Sequence, residues 1–245
     1  GDKPVSGYLT IPVGARPKSL PAMVYYHGAG WCSANWHFEP DAISFDVNAH
    51  GIENGKPAEF YADLQKNALA DYMYRGMADR EKSYFRNMFL RVLRSLDYVK
   101  TLPEWDGRRI LVYGSSQGGA QALVAAALDH DVTAVAAGVP AMCDHLGALD
   151  RRRPGWPGFL ARAAATGQVP EATRTAGYYD AASFARRIRC EVFMSAGLID
   201  LTCSPTSVYA AFNNLPAATV KTLDVAPDKG HDASIIQSYR KRFQE

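Results

Sequence analysis

Short apolar runs alternate along the chain with longer segments in which apolar residues recur every three or four positions. The first pattern is typical of buried β-strands and the second of amphipathic helices. Strands are predicted at 5–13, 20–28, 41–51, 108–114, 132–141, 190–200 and 219–226, the first of them at a sheet edge. Helices are predicted at 85–100, 117–128 and 205–214, followed by a last helix with Ile235, Ile236, Tyr239 and Phe243 on one side. This order predicts an α/β fold, with a mostly parallel central sheet and helices on both faces.

Two segments interrupt the alternation. Residues 55–86 are polar and aromatic without a clear period, and residues 142–187 combine the stretch RRRPGWPGF with a mixed helical pattern. Each is longer than an ordinary connection, so both are predicted to form lids or substrate-binding excursions. The chain has no internal repeat, and its 245 residues can bury one large core. We therefore expect a single domain over residues 1–245.

Composition and charge bear on whether the chain binds nucleic acid or a membrane. The formal net charge is +2 and 21% of the residues are charged, which does not indicate binding to nucleic acid or to an acidic membrane surface. One basic run, 151–153, is interpreted as a solvated loop. No stretch of about 18 apolar residues is present, so no membrane-spanning segment is expected. The first ten residues lack the basic start and apolar core of a signal peptide, and the sequence leaves the compartment open.

The cysteines do not indicate a metal site. Cys32, Cys143, Cys190 and Cys203 are widely spaced and form no C-x-x-C pattern. This spacing argues against zinc, and no set of metal ligands is predicted. The sequence does not decide whether these thiols are reduced or form up to two disulfide bridges.

The stretch RRILVYGSSQGGAQAL, residues 108–123, carries the strongest chemical signal. An apolar strand runs into the pentapeptide 114–118, GSSQG, and then into an alanine-rich helix, which is the context of a nucleophile elbow in an α/β-hydrolase fold. Centring G-x-S-x-G between its glycines selects Ser116 as the nucleophile. Gly114 and Gly118 are expected there because side chains would crowd the strained backbone of the serine. The alternative is a Gly/Ser turn that only fits a tight corner.

A serine hydroxyl needs a base near neutral pH, and the base needs an orienting acid. In an α/β-hydrolase both follow the nucleophile along the chain, each after a late strand. Asp200 ends the strand predicted at 190–200, and His231 follows the last predicted strand. We therefore predict Asp200 as the acid and His231 as the base. The alternative for Asp200 is a helix cap or a turn residue.

Other histidines and aspartates fit these roles less well. His130 follows the elbow helix and His145 lies in the second excursion, so both are interpreted as surface or lid residues. Three aspartates lie too close to the predicted base along the chain to be its expected partner: Asp224, Asp228 and Asp232.

An oxyanion hole requires two backbone N–H donors. One is expected from Gln117, directly after the nucleophile, where the positive end of the helix adds to the effect. The other is expected from the loop after the second strand, and Ala29 is predicted as that donor. Gly28 and Gly30 would let this backbone approach a substrate. His27 is interpreted as a residue that orients the loop rather than one that transfers protons.

Three stretches give the chain a specific resemblance. GSSQGGAQAL, SAGLIDLTCSPTSVYAAFNNL and the closing GHD resemble the acetyl xylan esterase/cephalosporin C deacetylase family, carbohydrate esterase family seven. The Ser-Gln-Gly-Gly elbow distinguishes this family from other α/β-hydrolases, and the resemblance covers about 21–245, most densely from 110 onward. It implies an esterase with Ser116 as nucleophile, Asp200 as acid, His231 as base and Gln117 as oxyanion donor.

The chain also departs from the family pattern. The family usually has a tyrosine after the His-Gly of the oxyanion loop, and Ala29 keeps the N–H donor but not the ring. The final motif is often Gly-His-Glu, whereas here Asp232 follows the histidine. Family members are longer, with an N-terminal extension and an insertion that help to build a hexamer, so the oligomeric state is not inferred.

The expected reaction is removal of acetyl or other small acyl groups from a carbohydrate, such as acetylated xylan or xylo-oligosaccharides. Trp31, Trp36 and Trp156 are predicted to bind sugar, because aromatic faces bury the apolar side of sugar rings well. Ordinary packing of these large side chains is the alternative. No metal, organic cofactor, nucleic acid or membrane partner is implied.

Two other functions remain open from the sequence. One is a different serine hydrolase on the same fold, acting on small esters or on peptides. The other is a binding module that kept the fold and lost the chemistry, although such a module has no need for a serine, an aspartate and a histidine in these three places.

Overall fold

The fold is described from a computed structural model that covers residues 4–232. The last predicted helix, with Ile235, Ile236, Tyr239 and Phe243, lies outside the described residues. Within them, strands and helices follow one another in the predicted order, and the α/β class is confirmed.

Seven strands form one sheet. Their bounds are β1 Gly7–Thr10, β2 Leu20–Tyr26, β3 Ile43–Val47, β4 Trp105–Ser115, β5 Ala134–Gly138, β6 Glu191–Gly197 and β7 Lys221–Ala226. The spatial order is β1-β3-β2-β4-β5-β6-β7, and β1 alone runs antiparallel to its neighbour. Each predicted strand is present, and the predicted edge strand is at an edge.

The helices are α1 Ala58–Lys66, α2 Tyr84–Val99, α3 Gln117–Leu128, α4 Phe159–Thr166, α5 Val169–Ala176, α6 Ala181–Ala185 and α7 Pro205–Asn214. Helix α3 begins directly at the elbow and packs on β4, β5, α2 and α6. Its alanines and glycines are almost all buried, because small side chains let a helix lie close to a sheet and to two other helices at once. The main core lies between these helices and the strands, with Phe85, Leu96, Ile110 and Met194 fully buried.

Both excursions contain helices whose bounds the sequence pattern did not give. Residues 55–86 hold α1 and a 3-10 turn at Tyr72–Tyr74, and residues 142–187 hold a 3-10 turn at His145–Asp150 followed by α4, α5 and α6. Helix α1 has no buried residue, so it lacks the apolar stripe by which helices are recognised. The other three have eight, eight and five residues, too short to show a period.

Three further points from the sequence can be compared with the structure. Across residues 4–232, no helix combines the length and the apolar character needed to cross a bilayer. All four cysteines are free thiols, a point that the sequence left open, and Cys32, Cys143 and Cys203 are buried. The basic run 151–153 is exposed, in agreement with a solvated loop.

Candidate active site

Ser116 stands between β4 and α3 in a backbone conformation that residues other than glycine rarely adopt. Its φ is 58° and its ψ is −121°, and it is the N-cap of α3. The chain reverses so sharply here that a Cβ atom on Gly114 would lie 2.2 Å from the carbonyl oxygen of Gly118. The glycine at the first position of the elbow is therefore required by close approach of the backbone, as the motif predicts.

Backbone hydrogen bonds hold this corner in place. The N–H of Ser116 donates to the carbonyl of Gly138 at 2.9 Å. The carbonyl of Ser116 accepts the N–H of Ala120 at 3.1 Å and that of Ala141 at 2.9 Å. The corner is thus tied both to the end of β5 and to the first turn of α3, which offsets a backbone strain of about 1–3 kcal/mol.

Asp200 follows β6 and His231 follows β7, and their side chains meet. Nδ1 of His231 lies 2.8 Å from Oδ2 of Asp200. The other carboxylate oxygen, Oδ1, accepts the backbone N–H groups of Thr202 at 2.7 Å and Cys203 at 2.9 Å. Asp200 is 2% exposed, so these three hydrogen bonds compensate a carboxylate that is almost completely removed from water. Asp200 therefore fills both roles considered from the sequence: it organises its own turn and it binds the histidine.

His27 has both ring nitrogens engaged by the backbone. Nδ1 lies 2.9 Å from the carbonyl oxygen of Gly28, and Nε2 accepts the N–H of Ala49 at 2.9 Å. This arrangement fixes the neutral ring with its proton on Nδ1. Burial lowers the pKa of His27 from 6.5 to about 4. The ring therefore orients the loop that begins at Gly28, in agreement with its interpretation from the sequence.

Two backbone N–H groups near Ser116 have no hydrogen-bond partner among the described residues. Gln117 is the first residue of α3, a position whose N–H has no acceptor inside the helix. Within residues 4–232, neither Gln117 nor Ala29 donates its backbone N–H to another residue. Both groups are consequently free to bind an oxygen atom of a ligand.

A cavity of about 400 Å³ brings most of the predicted residues together. It is lined by Gly28, Ala29, Gly30, Trp31, Ser115, Ser116, Trp156, Thr202 and His231. Trp36 is 65% exposed and does not belong to this lining, so its predicted contact with sugar stays a prediction. A larger cavity of about 820 Å³ lies at the amino ends of β2 and β4 and contains none of the predicted site residues.

Two residues that touch the site were not singled out from the sequence. The hydroxyl of Tyr72, in the first excursion, donates to Oε1 of Gln117, and burial raises the pKa of Tyr72. The thiol sulfur of Cys203 lies within 4.8 Å of a carboxylate oxygen of Asp200 and a ring nitrogen of His231, and burial raises the pKa of this thiol to about 12. No motif or residue spacing in the sequence identifies Tyr72 as a residue of the site. The one available signal for Cys203 is its place three residues after the predicted acid.

Comparison with known proteins assigns a family. The model of the family described as acetyl xylan esterase (AXE1) matches residues 1–244. Acetyl esterase Axe7A of Xylanibacter ruminicola is 34% identical over 221 residues, which make up 87% of this chain and 49% of that relative. The chain thus spans about half the length of this curated relative.

Solved structures are similar over nearly the whole chain. An acetyl xylan esterase from Paenibacillus sp. R4 superposes with a TM-score of 0.81 and 28% identity, covering 98% of this chain and 79% of that one. Acetyl xylan esterase 1 from Thermoanaerobacterium sp. JW/SL YS485 has a TM-score of 0.75 and 24% identity, covering 98% and 77%, and supports the fold. The family resemblance seen in the sequence is therefore confirmed, and the chain belongs to the acetyl xylan esterase family.

Proposed function

We propose that the chain is a serine esterase that removes acetyl groups from carbohydrate by a Ser-His-Asp triad and an acyl-enzyme. One observation carries this proposal: His231, which is hydrogen-bonded to the buried Asp200, lines the same cavity as the strained Ser116. The proposed nucleophile and the proposed base come from distant parts of the chain and face one cavity, and the proposed acid is hydrogen-bonded to the base. The family assignment supports an ester as the substrate.

In the first half of the reaction, Ser116 Oγ attacks the acyl carbon while His231 Nε2 takes its proton. Asp200 keeps the proton of the neutral imidazole on Nδ1 and stabilises the imidazolium that forms. The oxyanion of the tetrahedral intermediate accepts hydrogen bonds from the N–H groups of Gln117 and Ala29. The carbon–oxygen bond to the sugar then breaks, the departing sugar oxygen takes the proton from His231 and becomes a hydroxyl, and the acetyl group stays on Ser116.

Water completes the cycle by the same steps. His231 Nε2 takes a proton from water, the resulting oxygen attacks the acetyl carbon, and the same two N–H groups bind the second oxyanion. When the intermediate collapses, the proton returns from His231 to Ser116 Oγ, and acetic acid leaves and loses its remaining proton to solvent as acetate. Every proton is carried by His231, so the cycle requires no cofactor.

We infer that the sugar lies against aromatic side chains around the cavity. Trp31 is 59% exposed next to the proposed donor loop, and Trp156 enters from the second excursion. The ring of Trp156 also packs at 6.3 Å from that of Tyr72 and at 6.4 Å from that of Phe85, so it has a packing role as well. Trp36, exposed on the same loop as Trp31, is proposed to contact longer substrates.

Acetate release from acetylated xylo-oligosaccharides and from p-nitrophenyl acetate tests this function, with the wild type and Ser116→Ala side by side. We expect turnover of both substrates, and a loss of about a thousandfold or more in the variant. Ser115→Ala is the matched control, because it removes the neighbouring hydroxyl and leaves the elbow intact. It should retain most of the activity.

The other outcomes separate the alternatives. Turnover of the aryl ester alone would keep the nucleophile and contradict the carbohydrate substrate. A folded protein that hydrolyses neither ester and does not react with a fluorophosphonate probe would be a binding module. Comparable losses in Ser115→Ala and Ser116→Ala would contradict the choice of nucleophile.

A further inference from the structure

We propose that Asn48 is a positioning residue for the oxyanion hole, whose side-chain amide holds the loop after β2 so that the N–H of Ala29 faces the oxyanion. This inference rests on the proposed function, because it assumes that Ala29 is one of the two donors. Asn48 belongs neither to the elbow nor to the triad, and it lies outside the cavity lining. It acts through the backbone that it binds and does not touch the substrate.

Asn48 lies where two neighbouring strands end. β2 and β3 are parallel, and Tyr26 is paired with Val47. His27 and Asn48 are therefore the first residues beyond the paired ends, each at the start of its own loop. The side chain of Asn48 is fully buried, and a buried amide requires hydrogen-bond partners in the protein. Those partners show which parts of the chain Asn48 holds.

The amide nitrogen of Asn48 holds the far end of the loop after β2. Nδ2 donates to the carbonyl of Cys32 at 2.9 Å and to Oδ1 of Asn54 at 3.0 Å. The same oxygen of Asn54 accepts the N–H of Ala34 at 2.9 Å and the hydroxyl of Ser33 at 3.3 Å. Three consecutive loop residues are thus bound to Asn48, either directly or through Asn54.

The amide oxygen of Asn48 shapes the backbone that meets the near end of the loop. Oδ1 accepts the N–H of His50 at 2.9 Å, which closes a side-chain turn of the kind that asparagine commonly forms. Within this turn the N–H of Ala49 donates to Nε2 of His27 at 2.9 Å. One side chain consequently supports the loop at both of its ends.

The near end of the loop decides where the N–H of Ala29 points. Nδ1 of His27 lies 2.9 Å from the carbonyl oxygen of Gly28, which also accepts the N–H of Trp31 at 3.4 Å. This carbonyl and the N–H of Ala29 belong to one trans peptide unit, so they point in opposite directions. Binding the oxygen on one side therefore turns the N–H to the other side. A Cβ atom on Gly28 would lie 3.9 Å from Cβ of Ser116, so this peptide lies beside the proposed nucleophile.

A substitution of Asn48 also affects folding, so the test needs a signal that comes from the oxyanion alone. The kcat/KM is measured for p-nitrophenyl acetate and for its thionoester, in which C=S replaces C=O, on the same samples and together with the melting temperature. N–H donors bind the compact charge of an oxygen anion more strongly than the diffuse charge of a sulfur anion. The ratio of the two values therefore reports the oxyanion hole, and the fraction of folded protein cancels in it.

Asn48→Asp is the informative variant. It keeps the shape of the side chain and the acceptor for His50, but it replaces the donor to Cys32 by an oxygen that repels the carbonyl. Ser44→Ala is the matched control, since it changes another fully buried polar side chain on β3 whose hydroxyl has no hydrogen-bond partner among the described residues.

We expect Asn48→Asp to lower the ratio of oxoester to thionoester hydrolysis by about tenfold or more, because a displaced donor stabilises the oxyanion less. Ser44→Ala should keep the ratio of the wild type. If Asn48→Asp does not fold, Asn54→Ala replaces it. That variant removes one acceptor of the Asn48 amide at a half-buried position, and it should lower the ratio by about threefold or more.

Equal losses on both esters, with the ratio unchanged, would show that Asn48 serves only the stability of the fold and would overturn the inference. An unchanged ratio in Asn54→Ala, where that variant replaces the first, would overturn it as well. Failure of the proposed function gives a different result. A wild type that hydrolyses neither ester contradicts both proposals, whereas one that hydrolyses only the aryl ester and no acetylated xylo-oligosaccharide contradicts the carbohydrate substrate and leaves the ratio to test Asn48.

Discussion

A Cβ atom on Gly118 would stand 2.0 Å from the carbonyl oxygen of Tyr26, the last residue of β2. Helix α3 therefore crosses the end of β2 at a distance that only glycine permits. The carbonyl of Tyr26 lies so close to the elbow that even the methyl group of an alanine at position 118 would displace the backbone. An alanine substitution there tests this close approach directly.

Gly118→Ala should lower the melting temperature and the esterase activity together, because moving α3 also moves Ser116 and the N–H of Gln117. We expect a destabilisation of about 2 kcal/mol or more, at the upper end for single substitutions. Gly177→Ala is the matched control, since its nearest neighbour is 3.9 Å away and its φ is −61°. A Gly118→Ala protein with wild-type stability and activity would contradict the close approach.

Asp200→Asn should lower kcat by about a thousandfold to ten-thousandfold with little loss of folding. The amide oxygen can still accept the N–H groups of Thr202 and Cys203, but the amide nitrogen would face His231 Nδ1 and favour the wrong tautomer. Steady-state kinetics and thermal unfolding are the measurements.

Asp228→Asn provides the control for that substitution, because Asp228 is exposed and close to His231 along the chain. It should leave kcat within about twofold of the wild type. Equal losses in the two variants would mean that Asp200 is not the specific partner of the base.

The free energy of unfolding should decrease as the pH falls from about 6.5 to 4. Unfolded His27 binds a proton at its ordinary pKa of 6.5, whereas burial lowers the folded pKa to about 4, so the unfolded chain binds more protons in this window. The neutral ring thus stabilises the fold above pH 6.5, and this contribution, about 3 kcal/mol, is lost below pH 4. Burial also lowers the pKa of His145, which acts in the same direction.

Urea unfolding at several pH values checks this expectation. His27→Gln should be less stable than the wild type at pH 7.5 and should lose less stability on acidification. His130→Gln changes an exposed histidine and should keep the pH dependence of the wild type. An unchanged slope in His27→Gln would contradict the role assigned to the buried ring.

Trp31→Ala should lower kcat/KM for acetylated xylo-oligosaccharides about tenfold more than for p-nitrophenyl acetate, the amount expected from one aromatic platform under a sugar ring. Trp36→Ala should have an effect only on longer oligosaccharides, since Trp36 lies outside the cavity lining. Equal losses of Trp31→Ala on both substrates would remove the argument for a sugar platform.

The strands and the elbow could be predicted because their physical causes are local. Buried parallel strands are short and apolar on both faces, and α3 has the predicted bounds, Gln117–Leu128, because the elbow fixes where it begins. The positions of Asp200 and His231 could be predicted because each follows a late strand, and the carboxyl ends of parallel strands lie at one edge of the sheet.

What escaped prediction depends on contacts between distant residues. The hydrogen bond from Tyr72 to Gln117 joins residues 45 positions apart, and it arises because the first excursion folds back over the elbow. The short helices α4, α5 and α6 have too few residues to show a period. Cys203 was considered from the sequence only as a possible disulfide partner, and its place beside Asp200 and His231 becomes visible only when the loop after β6 is folded.

The position of β7 at the edge of the sheet affects how activity is lost on unfolding. It forms one edge of the seven-stranded sheet and has no fully buried residue, whereas β4, which leads to Ser116, is flanked on both sides. The free energy required for local unfolding is lowest at such an edge. Detachment of β7 would carry His231 away while the elbow and both free N–H groups stay in place. Mild denaturant should therefore stop ester hydrolysis at a lower concentration than it unfolds the sheet, with the proposed nucleophile still in place but without its proposed base.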